Sequence, residues 1–261
     1  MKKLIQTPKN LITTNYFIGK YTLEGVVNSL VNRSDDAARR KKALLITAKN
    51  ASSVLKGMNV KIRTEFEDKD IFERNYFMVA NHMSYLDILI LSSIRPAVFV
   101  TSKEMEKTFF LGDMAKLGGS FFVDRVNRRK IKEEVAALEN LLHQGFNVFI
   151  FPEGTSTDGS QVLPFKKSLF RVPFQTQFPI LPICLKYEKY NGEAFGPQNR
   201  DNICWYGDMT FGPHFLQLMG TQELEVSLKY LNPLDPKQFA SHGELAQRAH
   251  QLINDCYMQR N

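Results

Sequence analysis

Tyr76-Phe77-Met78-Val79-Ala80-Asn81-His82-Met83-Ser84-Tyr85-Leu86-Asp87 passes from an apolar run, through a short polar turn, into residues suited to open a helix. The five residues from Tyr76 to Ala80 are too few for a helix and fit a strand. Ser84 is a good N-cap, and Asp87 three residues later completes the pattern of a capping box. His82 then lies in the turn. Five helical steps of about 100° would put His82 and Asp87 roughly 140° apart, so they cannot share a helix face. With the helix starting after Ser84, Asp87 takes its third position and reaches back towards the imidazole. A candidate general base beside a carboxylate is the minimum equipment for activating a hydroxyl. On this stretch alone, a capped helix next to an ordinary hydrogen-bonded histidine fits as well.

Two further segments end apolar strands with polar chemistry. Gly118-Gly119-Ser120-Phe121-Phe122-Val123 closes on Asp124 and Arg125, and Asn147-Val148-Phe149-Ile150-Phe151 runs into Pro152-Glu153-Gly154-Thr155. Arg125 offers a planar fork of donors suited to phosphate or carboxylate, although a salt bridge to a nearby acid explains it equally. Pro152 stops a ladder and Gly154 permits a turn that other residues resist. A plain turn does not account for the carboxylate of Glu153 between them.

The chain at this point resembles the glycerolipid acyltransferases, the family that includes bacterial 1-acyl-glycerol-3-phosphate acyltransferase. Asn81-His82-Met83-Ser84-Tyr85-Leu86-Asp87, Gly119-Ser120-Phe121-Phe122-Val123-Asp124-Arg125, Phe151-Pro152-Glu153-Gly154-Thr155 and Phe178-Pro179-Ile180-Leu181-Pro182-Ile183 are similar to its four blocks, in the same order. The resemblance spans roughly residues 76–187. It implies a glycerol-phosphate-acyltransferase-like αβ sandwich and transfer of a fatty acyl group to a lysolipid hydroxyl in phospholipid synthesis. It implies His82 as general base, Asp87 as its orienting acid, and Arg125, Glu153, Gly154 and Thr155 in acceptor binding. Lys103 is similar to a lysine the family often carries after a strand, which implies a phosphate contact. Members acting on glycerol phosphates commonly have arginine after the third block, where this chain has Ser156. Thr155-Ser156-Thr157-Asp158-Gly159, Leu163-Pro164-Phe165-Lys166 and Trp205-Tyr206-Gly207-Asp208-Met209-Thr210 look like a bacterial subgroup that also contains lyso-ornithine lipid acyltransferases. Lysophosphatidic acid is the first acceptor expected and lyso-ornithine lipid the alternative.

The chemistry sets further expectations. An alcohol is a poor nucleophile at neutral pH, and histidine is the side chain suited to take its proton. A thioester, on acyl carrier protein or coenzyme A, already has a good leaving group. Direct attack in one ternary complex is expected, with no metal and no other cofactor. Cys184, Cys204 and Cys256 are odd in number and lack zinc-ligand spacing, so neither a disulfide scaffold nor a zinc site is suggested. No Gly-x-Ser-x-Gly elbow supports a serine nucleophile. His143, His214, His242 and His250 lack a comparable partner pattern and are read as structural or solvated.

With 43% hydrophobic and 23% charged residues, the chain has an ordinary globular composition and is long enough to bury a substantial core. Strands are expected near 59–66, 76–81, 97–101, 119–124, 147–151, 178–187 and 222–231. Helices are expected near 84–94, 104–117, 128–144 and 238–259. That alternation predicts an α/β fold with a mostly parallel central sheet. Residues 59–261 form the expected catalytic domain.

Charge is uneven. Residues 1–60 hold 11 Lys or Arg against 3 acids, leaving 23 against 24 in the rest, so the whole +7 excess is N-terminal. Helical spacing of apolar residues predicts helices near 10–31 and 35–57, and between them Arg39-Arg40-Lys41-Lys42 forms a basic cluster. Residues 1–58 are therefore expected to be a basic two-helix segment docked on an anionic membrane surface. A solvated hairpin packed on the core is the simpler alternative. No run of about 20 apolar residues is present, and polar residues from Gln6 to Asn10 interrupt any signal-peptide core. Monotopic or peripheral attachment at the cytoplasmic face is the expected location, with Asn127-Arg128-Arg129-Lys130 adding a second basic patch. Nucleic-acid binding is not expected, because the hairpin lacks a recognisable motif and the body carries no basic excess. A catalytically idle lipid-binding relative is the remaining alternative.

Overall fold

The computed structural model describes residues 2–108, 110–124 and 130–259, with side chains from residue 6 onward. Among these residues the strands are β1 Val60–Phe66, β2 Phe77–Ala80, β3 Val98–Ser102, β4 Phe121–Val123, β5 Val148–Ile150, β6 Ile180–Tyr190, β7 Glu193–Ala194 and β8 Leu224–Tyr230. They form one sheet in the order β1-β8-β6-β2-β5-β3-β4, with β7 added to β6. Every neighbouring pair along that order is parallel except β6 and β8. The mostly parallel sheet predicted from the alternating pattern is the one observed.

The helices are α1 Lys2–Val31, α2 Asp36–Gly57, α3 Tyr85–Ile94, α4 Lys103–Glu106, α5 Leu111–Leu117, α6 Ile131–His143, α7 Arg171–Thr176, α8 Phe211–Leu218 and α9 His242–Met258. Side chains of β2 alternate between two cores, as the period of two requires. Met78 and Ala80 join α3 and the end of α2 on one face. Phe77 and Val79 join α6 and α9 on the other. Burial on both faces explains why β2 is continuously apolar. At the β1 and β8 end only one face is covered. There Lys61–Glu223, Lys189–Glu225 and Lys229–Glu67 ion pairs occupy the open side.

The expected helix over 104–117 is broken into α4 and α5. Phe110 adopts φ 67, which no continuing helix allows. Gly112 sits against the Glu106 carbonyl, where a Cβ would collide with the backbone. The break turns Phe110 towards Phe211, at 6.0 Å between ring centroids. At the other end of the chain, α1 starts earlier than expected and continues through Pro8. The buried Asn10 amide donates to the carbonyls of Met219 and Thr221, which fastens this helix to the body. Val54, Leu55 and Met58 of α2 belong to the main core, so the hairpin is packed into the fold. The short helices α7 and α8 carry no sequence signal strong enough to be expected.

Opposite the strand ends that carry the site, Arg95 latches the sheet. It is 5% exposed and donates to the carbonyls of Ile71 and Arg74 and to Asn147 Oδ1, with its guanidinium over Phe72 and Tyr76. Asn147 Oδ1 also accepts the Tyr76 N–H, and its amide donates to Pro96. One cluster thus aligns the starts of β2, β3 and β5. Replacing Arg95 with Met keeps the length but leaves two buried carbonyls unpaired. Thermal melts should show a loss of about 2–4 kcal/mol, and a loss below about 0.5 kcal/mol would show that the latch is dispensable.

Candidate active site

The loops of interest all leave the C-terminal ends of parallel strands, the usual location for sites in such sheets. β2 is the shortest route to the centre. Where its ladder stops, the buried Asn81 side chain continues it, with its amide donating to the Leu185 carbonyl and its oxygen accepting the Leu185 N–H, both at 2.9 Å. The backbone therefore leaves the sheet at one fixed point, and His82 follows directly.

Asp87 lies at the third position of α3 and is 0% exposed. Its Oδ2 accepts from the backbone of Met83 at 2.7 Å and of Ser84 at 2.9 Å, and it faces His82 Nδ1 at 2.9 Å. Its Oδ1 accepts from the Tyr187 hydroxyl at 2.5 Å. The capping box is present as well, with Ser84 as N-cap. Capped helix and oriented histidine are one arrangement, not rival ones. A carboxylate at Nδ1 selects the tautomer with its proton there, leaving Nε2 as the nitrogen with a free lone pair. The imidazole also stacks on Phe151, with centroids 3.9 Å apart and an interplanar angle of 14°. Burial and the Asp87 charge hold the Tyr187 hydroxyl well above its ordinary pKa, so it remains a donor.

Glu153 is 3% exposed and does not face outward. Its Oε1 accepts the His82 N–H and its Oε2 the Leu163 N–H, both at 2.7 Å. The carboxyl thus joins the turn after β5 to the turn after β2. The His82 carbonyl accepts from Thr157 N at 2.9 Å, closing the same junction from the other side. Burial pushes the Glu153 pKa up to about 7; the two N–H donors oppose this, and the Asp87 charge adds to it.

Gly154 has φ +76, and the Lys166 side chain lies so close over it that a Cβ would collide with it. Gly154, Thr155 and Ser156 line a cavity of about 460 Å³ that His82 also faces. The Ser156 hydroxyl donates to the Trp205 carbonyl, and Trp205 N–H donates to the Met83 carbonyl at 2.9 Å. Lys103 stands at the start of α4 with Nζ 3.9 Å from Asp124. The expected acceptor contact Arg125, with Asn127 to Arg129 of the second basic patch, lies outside the described residues.

Beyond this mouth the cavity is mainly apolar and runs between the N-terminal helices and α3. Phe17 and Ile18 of α1, Ala51 and Val54 of α2, and Leu86 and Leu89 of α3 are among its walls. Tyr85, Trp205, Phe211 and Phe215 form an aromatic cluster at its side. Among the described residues no group of three or more His, Cys, Asp or Glu is arranged to hold a metal. Asn81, Tyr187 and Trp205 had no assigned role in the sequence. Tyr187 is 100 positions from Asp87, and only the β6 register brings it there.

Comparison with known proteins gives a consistent picture. A family model described as Acyltransferase matches residues 58–186. The chain is 30% identical over 213 residues to a lyso-ornithine lipid O-acyltransferase of Rhizobium meliloti (strain 1021), covering 77% of this chain and 72% of that protein. It is 34% identical over 116 residues to a 1-acyl-sn-glycerol-3-phosphate acyltransferase of Neisseria gonorrhoeae, covering 44% and 46%. Its fold is similar to the crystal structure of the 1-acyl-sn-glycerophosphate acyltransferase PlsC from Thermotoga maritima, with TM-score 0.68 and 22% identity over the whole of both chains.

The Glu153 carboxyl holds its proton more tightly in the folded chain, near pH 7 instead of the ordinary 4.5. Its contribution to stability is full below about pH 4.5 and is lost as pH rises through about 7. Glu153→Gln removes that dependence, so the Tm gap between the two proteins should change between about pH 5 and about pH 8. A gap independent of pH would assign the titration elsewhere.

Proposed function

This chain belongs to the acyltransferase family, and on that premise we propose that His82 and Asp87 move a fatty acyl group from a thioester onto a lysolipid hydroxyl. The observation that carries the proposal is an imidazole whose Nδ1 is committed to a buried carboxylate, facing an apolar cavity with its ring. Nε2 takes the proton of the acceptor hydroxyl as its oxygen bonds to the thioester carbonyl carbon. The tetrahedral intermediate then collapses, the carbon–sulfur bond breaks, and the imidazolium returns the proton to the departing thiolate. Acyl carrier protein or coenzyme A carries the donor, and the apolar cavity takes its chain. Glu153 acts through the backbone, by holding the His82 and Gly154 turns together.

Lysophosphatidic acid is the first acceptor, because Lys166 over Gly154 supplies a cation beside the turn and Lys103 a second at the next strand end. Lyso-ornithine lipid is the second reading, favoured by one feature: position 156 carries a serine whose hydroxyl is bound to the Trp205 carbonyl, so no bidentate phosphate ligand stands there. Purified protein supplied with labelled acyl thioesters and both lysolipids distinguishes them by product. No product from any pairing would overturn acyl transfer. His82→Ala should lower the rate by about a thousandfold, and an unchanged rate would overturn the base assignment.

The hairpin of residues 1–58 supplies the membrane contact. Tyr16, Leu23, Leu30 and Val31 of α1 and Leu45 of α2 are exposed, unlike the buried apolar residues of the body. Lys41 and Lys42 are exposed beside them. No described helix is long and apolar enough to cross a bilayer. Attachment is monotopic or peripheral, on the cytoplasmic face where acyl thioesters are made. Each lysine near an anionic surface contributes about 1 kcal/mol, so Lys41→Glu with Lys42→Glu should weaken cosedimentation with anionic vesicles at least about tenfold. Undiminished binding at low salt would overturn the docking face.

A further inference from the structure

Two of the three cysteines face one another where α9 packs on β6. Strand alternation puts Cys184 on the same face of β6 as Ile180 and Lys186. Ile180 shares a core with Leu245, Ala249 and Ile253 of α9, and Lys186 Nζ donates to the Gln259 carbonyl at 2.7 Å, at the end of that helix. Cys184 therefore stands between two points at which β6 meets α9. On the helix, Cys256 follows Ile253 by three positions and Ala249 by seven, which continues the stripe packed on the sheet. It stands between Ile253 and Gln259 as Cys184 stands between Ile180 and Lys186. The two thiols hydrogen-bond to each other, with Lys186 and Lys229 close by.

The two thiols differ in exposure and acidity. Cys184 is buried, whereas Cys256 is half-buried. The shared hydrogen bond and burial both push the Cys184 thiol up. The same bond holds Cys256 below the ordinary thiol range, with Lys186 and Lys229 adding to this and partial burial opposing it. The thiolate is the nucleophilic form, so Cys256 reacts first and Cys184 stands beside it as the second thiol. Cys204 is buried, and burial pushes its thiol up, which leaves it inert.

We propose that Cys256 and Cys184 are a peroxide-responsive dithiol whose disulfide ties the C-terminal helix to β6. The Cys256 sulfur attacks one oxygen of hydrogen peroxide, the O–O bond breaks, and the departing hydroxide takes up the proton released by the thiol and leaves as water. Cys256 is then a sulfenic acid. The Cys184 sulfur attacks the Cys256 sulfur, the S–O bond breaks, and a second water leaves with the Cys184 proton. One peroxide is reduced to two waters and two thiols are oxidised to one disulfide. A dithiol reductant reverses the link by exchange. The tie falls beside Tyr257, whose hydroxyl donates to the Gly159 carbonyl at 2.6 Å and lies 3.3 Å from Met83 Sδ, so it fixes α9 against the segments that flank His82.

The test treats the full-length protein with a small molar excess of hydrogen peroxide and maps its peptides without reduction. The Cys184 and Cys256 peptides should be joined within one chain, two hydrogens lighter than their sum, with Cys204 still a free thiol. Dithiothreitol should restore both thiols. Because the link closes the chain between positions 184 and 256, it should raise Tm by about 5 °C, an increase absent from Cys256→Ser. In Cys184→Ala, dimedone should capture Cys256 as the sulfenic acid, which the wild type passes on to the disulfide. Oxidation of Cys256 to sulfinic acid without a link, a link between two chains, or equal oxidation of Cys204 would each overturn the proposal. So would a link that leaves Tm unchanged or lower. The pair takes no part in acyl transfer, so that reading stands or falls separately.

Discussion

Everything around the site depends on keeping one carboxylate out of water. Asp87 is buried and faces four donors: two backbone N–H groups, an imidazole and a phenol. An isolated buried carboxylate would cost many kcal/mol, so those donors are a structural requirement in their own right. Meeting it dictates the turn from Met83 to Ser84, the start of α3, the imidazole's tautomer and the approach of β6 through Tyr187. The geometry of the proposed base and the local folding are therefore not separable here. A substitution that releases one donor disturbs the helix cap and the histidine together.

This coupling explains what was legible in the sequence. Strand–turn–helix punctuation is local, and β2, α3 and the turn after β5 fell close to their expected positions. The capping pattern left two readings open because it could not say that a cap and a base-orienting acid would be the same side chain. Long-range partners were invisible. Tyr187 has no spacing relation to Asp87, and Asn81 gains its role only when Leu185 arrives on the neighbouring strand. Glu153 was expected among the acceptor contacts from the family resemblance, yet both oxygens meet backbone N–H groups. The break at Phe110 was missed because helical periodicity on either side of it is intact. The break places Phe110 in a packed aromatic contact with Phe211, which no local propensity encodes.

The hairpin of α1 and α2 has two faces with different chemistry. One forms a wall of the cavity through Phe17, Ile18, Ala51 and Val54, and the other exposes leucine, valine and lysine. A chain entering from a bilayer would pass from one apolar medium to another without crossing water. Exposed apolar residues gathered beside lysines have the composition of a surface that lipid can cover.

The sheet order has a consequence for how the molecule is made. β1, which follows the hairpin directly, hydrogen-bonds along the sheet only to β8, and β8 lies more than 150 residues further on, with Val60 opposite Leu224. During synthesis the hairpin and β1 emerge first but have no strand to join until nearly the whole chain has been made. The middle strands, whose partners are closer in sequence, can assemble earlier. Contacts of such large separation are slow to form. The pairing of β1 with β8 and the Asn10 contacts that fasten α1 to Met219 and Thr221 are thus among the last parts to be secured. A membrane surface nearby during that interval would shelter the hairpin's exposed apolar residues.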